Sequence, residues 1–125
     1  MLGKNSKQFG VWLDSVQATV VGRKDLDSGE FVVLGQAKNE GQGSNSNENT
    51  AHNAKQGLQQ KFFKEICALM QNAEEVHVTG TGITQEQFMH FLANTAQFKN
   101  TQTKESTSQH MADEKLVQYV TAQFN

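Results

Sequence analysis

The apolar residues of this chain alternate up to about residue 50 and first take up helical spacing there, and nothing else in the sequence restricts the fold so strongly. Before that point they alternate. In "FGVWLDS", Phe9, Val11 and Leu13 fall on one side and Trp12 on the other, the period of a half-buried strand. "QATVVGRK" follows after a short break, and "GEFVVLGQ" comes after "DLDSG", whose Asp, Ser and Gly are hairpin-turn residues. Three consecutive antiparallel strands are the simplest arrangement of these segments.

Beyond residue 50 helical spacing enters and then alternates with short strands. Leu58, Phe62, Ile66, Leu69 and Met70 mark "AKQGLQQKFFKEICALMQN" as an amphipathic helix lying on the sheet, with Gly57 weakening its first turns. "EEVHVTG" is then a short strand. "TGITQEQFMHFLANT" is a second helix with Phe88, Phe91, Leu92 and Thr95 on its inner face, and Thr84 followed by Gln87 has the spacing of a capping box at its start. "NTQTKESTS" is a thin polar edge strand, and Asp113 caps a last helix whose apolar stripe is Leu116, Tyr119, Val120 and Phe124. The order is βββαβαβα. A meander followed by alternating helix and strand makes an α/β domain, a mixed sheet of about five strands with helices packed on it.

Between the two periods lies "QAKNEGQGSNSNENTAHNAKQG", residues 36–57. It has no large apolar side chain with which to offset the entropy of ordering it, so it reads as a flexible polar loop inside one domain spanning residues 1–125. Proline is absent from the whole chain, so its turns rest on Gly, Asn, Asp and Ser.

A chain of 13.9 kDa with 36% hydrophobic residues can bury one core of useful size. Its formal net charge of -2 and pI near 6.0 give no global attraction to phosphate, so any nucleic-acid contact must come from a local patch, and DNA is not an expected partner. The single cysteine, Cys67, lies in the apolar run "KFFKEICALM" and reads as a buried, inert thiol. The start "MLGKNSKQFG" has no apolar signal-peptide core, and no run approaches the roughly 18 apolar residues of a membrane span. A reducing compartment, most simply the cytoplasm, is the expected location.

The element order is that of the ribonuclease H-like topology and of the central domain of archaeal and eukaryotic class-I peptide release factors. "GVWLDSVQATVV", the Gly-rich polar loop with "HN" ahead of a long helix, "AEEVHVTGTGITQEQFMHFL" and "QHMADEKLVQYV" resemble the small bacterial proteins grouped with that release-factor domain. In the release factors the equivalent loop carries Gly-Gly-Gln, which helps a water attack the ester of peptidyl-tRNA at the ribosome. Here it carries Gly41-Gln42-Gly43. Two glycines let the backbone approach RNA closely, and the Gln42 amide can orient a water or a ribose hydroxyl. The order of the triplet differs, however, and a one-residue shift re-aims the amide.

The ribonuclease H-like alternative needs carboxylates on the first strand, the first helix and a later strand end to hold two metals. Asp14 and Glu65 stand at the first two places. The third fails, because "VHVTGTG" carries no acid. Asp14 before Ser15 is more simply a turn residue, and Glu65 a solvated helix residue.

"GTGITQEQ" joins a strand to a helix amino terminus, where Gly80, Gly82 and the Thr84 hydroxyl form a candidate phosphate site, with a tight strand-to-helix turn as the simpler reading. The four histidines are scattered with no HxxxH pair, so neither a metal nor a cofactor is expected. His77 alternates with Val76 and Val78 and faces away from them, while His52 stands at the junction of loop and helix. Lys55, Lys61 and Lys64, with Lys38 before the loop, supply a modest basic strip interleaved with glutamines. The resemblance therefore implies a ribosome- or tRNA-associated domain in translation termination, rescue or regulation; Gly41, Gly43, His52, Lys55 and Lys61 are candidate RNA- or anion-binding residues, with a solvated helix face the simpler reading of the lysines and a capping or solvated role that of His52. Binding without catalysis is the preferred role. The alternatives are a peptidyl-tRNA ester hydrolase acting through Gln42 and a protein interaction module.

Overall fold

Strand β1, Gln8–Leu13, is the middle of the sheet because both of its backbone edges are taken. On one side it pairs antiparallel with β2, Gln17–Arg23, through Phe9 opposite Gly22 to Leu13 opposite Ala18. On the other it pairs in parallel with β4, Glu75–Gly80, from Gln8 beside Glu75 to Leu13 beside Gly80. β3, Phe31–Lys38, closes the meander against β2, and β5, Gln102–Thr107, adds in parallel to β4. The result is one mixed sheet in the order β3-β2-β1-β4-β5. A computed structural model describes residues 7–25, 29–39 and 48–124, with side chains for all of these except 48–56.

Helices cover both faces. The first, α1, spans Glu48–Ala68 and lays Phe62, Phe63, Ile66 and Cys67 on one face, beside Phe88 and Leu92 of α2, Ile83–Ala93. Phe9, Val11, Leu13, Val76 and Val78 meet them from the sheet. Burying side chains of this size contributes about 1.5–3 kcal/mol each. The opposite face is served by one helix, α3, Asp113–Phe124, whose Leu116 and Val120 pack on Trp12, Val21 and Phe31. Phe124 stacks on Phe31 at 5.6 Å. Because both faces are covered, all six residues of β1 are buried, including the Trp12 side that alternation alone reads as solvent-facing.

Four boundaries differ from the sequence expectations. β3 continues through Gln36 and Ala37 to Lys38, since pairing with β2 satisfies its backbone whatever its side chains. α1 already begins at Glu48, so the polar segment between these elements is shorter than residues 36–57. Thr84 is not a cap: α2 starts from Gly82, with no side-chain capping bond, and Thr84 is buried inside its first turn. At α3 the Leu116 N–H reaches the Ala112 carbonyl, which places Asp113 inside the first turn, beside Glu114, where a carboxylate complements the helix dipole. A short 3₁₀ turn, Ala96–Phe98, which the sequence did not mark, drops Phe98 into the larger core. Among the described residues no helix is long and apolar enough to cross a membrane.

Candidate functional site

The strand directions decide where chemistry can gather. β1, β3, β4 and β5 run parallel and end at Leu13, Lys38, Gly80 and Thr107, so their carboxyl ends share one end of the sheet. In open α/β sheets that end is where loops from different strands converge around ligands. Here it assembles the β1–β2 turn, the start of the polar segment, the β4–α2 junction and the chain leaving β5.

Each of those pieces is locally held. Asp14 Oδ1 accepts the N–H groups of Val16 and Gln17 at 2.8 and 2.9 Å, so its carboxylate is spent on the turn. Glu65 is exposed on α1. Neither residue therefore has the converging carboxylates that the nuclease alternative requires, and among the described residues no three His, Cys, Asp or Glu side chains gather. Asn39 is buried, and its N–H donates to the Val16 carbonyl at 2.8 Å, tying the beginning of the polar segment to the same turn. Gly41, Gln42 and Gly43 lie outside the described residues. His52 and Lys55 are on α1, but their side chains are likewise outside the described set.

The glycines of the β4–α2 junction do different work. A Cβ on Gly80, at φ +154°, would fall 1.9 Å from the Leu13 carbonyl oxygen, so glycine is required for β4 to close on β1. Gly82, at φ +79°, is exposed, with open space around it, and delivers the chain into α2. Thr84 is buried rather than presented at the helix mouth. The structure brings Gly80 and Gly82 to the same end of the sheet as Lys38 and Asn39, where the polar segment starts. Lys61 and Lys64 are exposed farther along α1, and the Gln59 Nε2 to Gln87 Oε1 bond of 2.9 Å ties α1 to the first turns of α2.

On the α3 face the same end carries a hydroxyl network that the sequence did not single out. Ser106 Oγ stands 2.9 Å from His77 Nε2, 2.6 Å from the Tyr119 hydroxyl and 3.0 Å from Thr79 Oγ1. Thr79 Oγ1 in turn meets Ser108 Oγ at 2.7 Å. Gln85 reaches over from α2 to donate to the Ser106 carbonyl at 2.6 Å, and Trp12 Nε1 donates to the Ser108 carbonyl at 3.3 Å. The available signal was polar residues at alternate positions, His77 and Thr79 on β4 against Lys104 and Ser106 on β5, opposite the valines. Burial, and secondarily the nearby Lys104, lowers the His77 pKa from its usual 6.5, so the imidazole is held neutral. Ser106 Oγ, bonded three times beneath Tyr119, is a structural hydroxyl rather than a free nucleophile. Cys67 is inert for a different reason, its thiol pushed up to about 12 by burial.

No protein-family profile and no curated protein sequence matches this chain. Solved structures do match it. A Pelota protein from Thermoplasma acidophilum aligns over 95% of this chain and 32% of its own, at TM-score 0.58 and 12% identity. Pelota from Archaeoglobus fulgidus aligns over 94% and 32%, at 0.54 and 15%. An archaeal translation termination factor aligns over 88% and 32%, at 0.51 and 14%. The chain thus spans about a third of the length of the structures it matches, and across nearly all of its own length it has the α/β fold of one part of Pelota and of an archaeal translation termination factor.

Proposed function

We propose that this protein is a translation-factor-type domain that binds the ribosome or tRNA, serving termination, rescue or their regulation, and that the polar segment between β3 and α1 is its contact surface. The observation that carries this reading is the fold shared with Pelota and a termination factor over most of the chain. The segment leaves β3 at the carboxyl end of the sheet, where loops of such folds meet ligands. It contains Gly41-Gln42-Gly43 and is followed on α1 by Lys55, Lys61 and Lys64. With a net charge of -2 the molecule has no general affinity for RNA, so binding rests on these local cations and on backbone contacts.

Ribosome pelleting across a salt series tests this directly. Pelleting at low salt that weakens as salt rises, falls when Lys55 and Lys61 become Glu, and disappears when residues 40–47 are removed is the expected result. Gln42→Ala leaves it intact. Failure of the intact protein to pellet with ribosomes or to bind tRNA at low salt would reduce the likeness to one of fold alone.

A further inference from the structure

The sheet has two outer strands, and they are built differently. β5 reads Gln-Thr-Lys-Glu-Ser-Thr, with Lys104 and Glu105 exposed at its centre, the pattern that blunts an edge against further pairing. β3 reads Phe-Val-Val-Leu-Gly-Gln-Ala-Lys. It has no charge before its last residue, leaves Val32, Val33 and Leu34 half-buried, pairs with β2 alone among the described residues, and carries one bulge at Leu34, where Val20 stands opposite Gly35 and Val21 opposite Val33. Beside it a groove of about 490 Å³ runs between β3 and α3, with Phe31, Val33 and Val117 along it and the carboxylates of Asp113 and Glu114 at its rim.

The charge at the far end of the strand complements that rim. Gln17, Thr19, Val21 and Arg23 share one face of β2, that of Val21 in the α3 core, and their partners on β3 are Lys38, Gln36, Val33 and Phe31. Lys38 is thus an exposed cation on the α3 face, at the opposite end of β3 from Asp113 and Glu114. Within one molecule they are kept apart. Antiparallel pairing of β3 with β3 of a second copy, about a twofold axis between Leu34 and Gly35, sets residue 38 of each copy opposite residue 31 of the other. A twofold axis normal to the sheet keeps each residue on its own face, and the bulge at Leu34 sets Phe31 and Lys38 on the same face although they are seven residues apart, so Lys38 of the second copy arrives at the mouth of the groove. Arg23 does not compete for the carboxylates, because its guanidinium is held by Gln8 Oε1 at 2.6 Å and the Gly29 carbonyl at 2.8 Å.

We propose that β3 is a self-association edge: two copies of this chain join their sheets antiparallel along β3, and Lys38 of each meets Asp113 and Glu114 of the other. Backbone pairing on either side of the Leu34 bulge supplies the ladder. The reciprocal ion pairs select the register, since a slip of two residues pulls both away from the groove. This inference stands apart from the ribosome reading, as it uses neither the polar segment nor any RNA.

Sedimentation velocity of the full chain over a wide concentration range tests it. The weight-average mass rises from 13.9 kDa toward twice that value. Lys38→Glu weakens dimerisation about tenfold, as does Asp113→Lys with Glu114→Lys, and the triple variant regains it because the charges are exchanged rather than lost. Gln36→Lys, which puts a charge at an exposed position of the edge, prevents dimerisation while the circular dichroism stays native. A monomer at every concentration overturns the proposal. So does a dimer indifferent to these changes, or a natively folded triple variant that does not recover.

Discussion

At the scale of single residues, two glycines of similar appearance in the sequence have opposite roles. Gly80 admits no side chain, because a Cβ there lies 1.9 Å from the Leu13 carbonyl oxygen at a left-handed φ. Gly80→Ala is expected to cost about 3 kcal/mol or more in urea unfolding. Gly57 sits exposed inside α1, and a Cβ added there would meet nothing within 4 Å, so Gly57→Ala is expected to stabilise the fold by about 0.5–1 kcal/mol in the same measurement. His77 carries a pH signature. Its folded pKa lies below the 6.5 of the unfolded chain, so the unfolded state takes up a proton first as pH falls. The contribution of neutral His77 is whole above about 6.5 and is lost progressively below it. His77→Gln should therefore flatten the acid arm of the stability profile; an unchanged slope would show that other groups set it.

At the scale of elements, the most exacting contact is between β1 and α3. A Cβ on Gly10 would come within 2.4 Å of a Val120 methyl, so α3 lies directly on the backbone of the central strand. Gly10→Ala is expected to cost about 1–3 kcal/mol by forcing α3 outward, with a change in the emission of Trp12, the one tryptophan, which packs against that helix. Leu116→Ala, at the centre of the smaller core, costs about 2–5 kcal/mol. The elements themselves were legible. Alternation located β1 to β4, a polar run marked β5, and helical spacing located α1, α2 and α3; in the stripe of α3 Leu116, Val120 and Phe124 pack as read, while Val117 joins them and Tyr119 turns its hydroxyl to Ser106. Their ends were less so, because caps depend on local backbone geometry: Gly82 rather than Thr84 begins α2, and Ala112 rather than Asp113 precedes α3. The hydroxyl network was missed because Ser106 and Ser108 acquire meaning only from their β4 and α3 neighbours.

At the scale of the whole molecule, the two cores share one sheet and therefore one fate. Trp12 and Val11 are neighbours in β1 yet belong to different cores, so neither core can open without disturbing the central strand. Trp12 fluorescence, which reports the smaller core, and far-ultraviolet circular dichroism, which reports all the helices, should trace a single coincident unfolding transition. Separated midpoints would mean that α3 detaches first. The candidate site is also a property of this scale. From the sequence, the polar stretch, the Asp14 turn and the Gly80–Gly82 junction were separate motifs tens of residues apart, each with a local explanation. The parallel pairing of β1 with β4 brings the latter two to one end of the sheet, and the course of β3 starts the polar segment there as well. The amino-acid sequence by itself determined which segments are strands or helices, because the period of apolar residues is a local consequence of backbone geometry. The tertiary structure alone decided that β1 is buried on both faces, that β3 is the edge opposite the polar β5, and which loops meet. Strand order and facing partners arise from long-range pairing, and no local pattern encodes them.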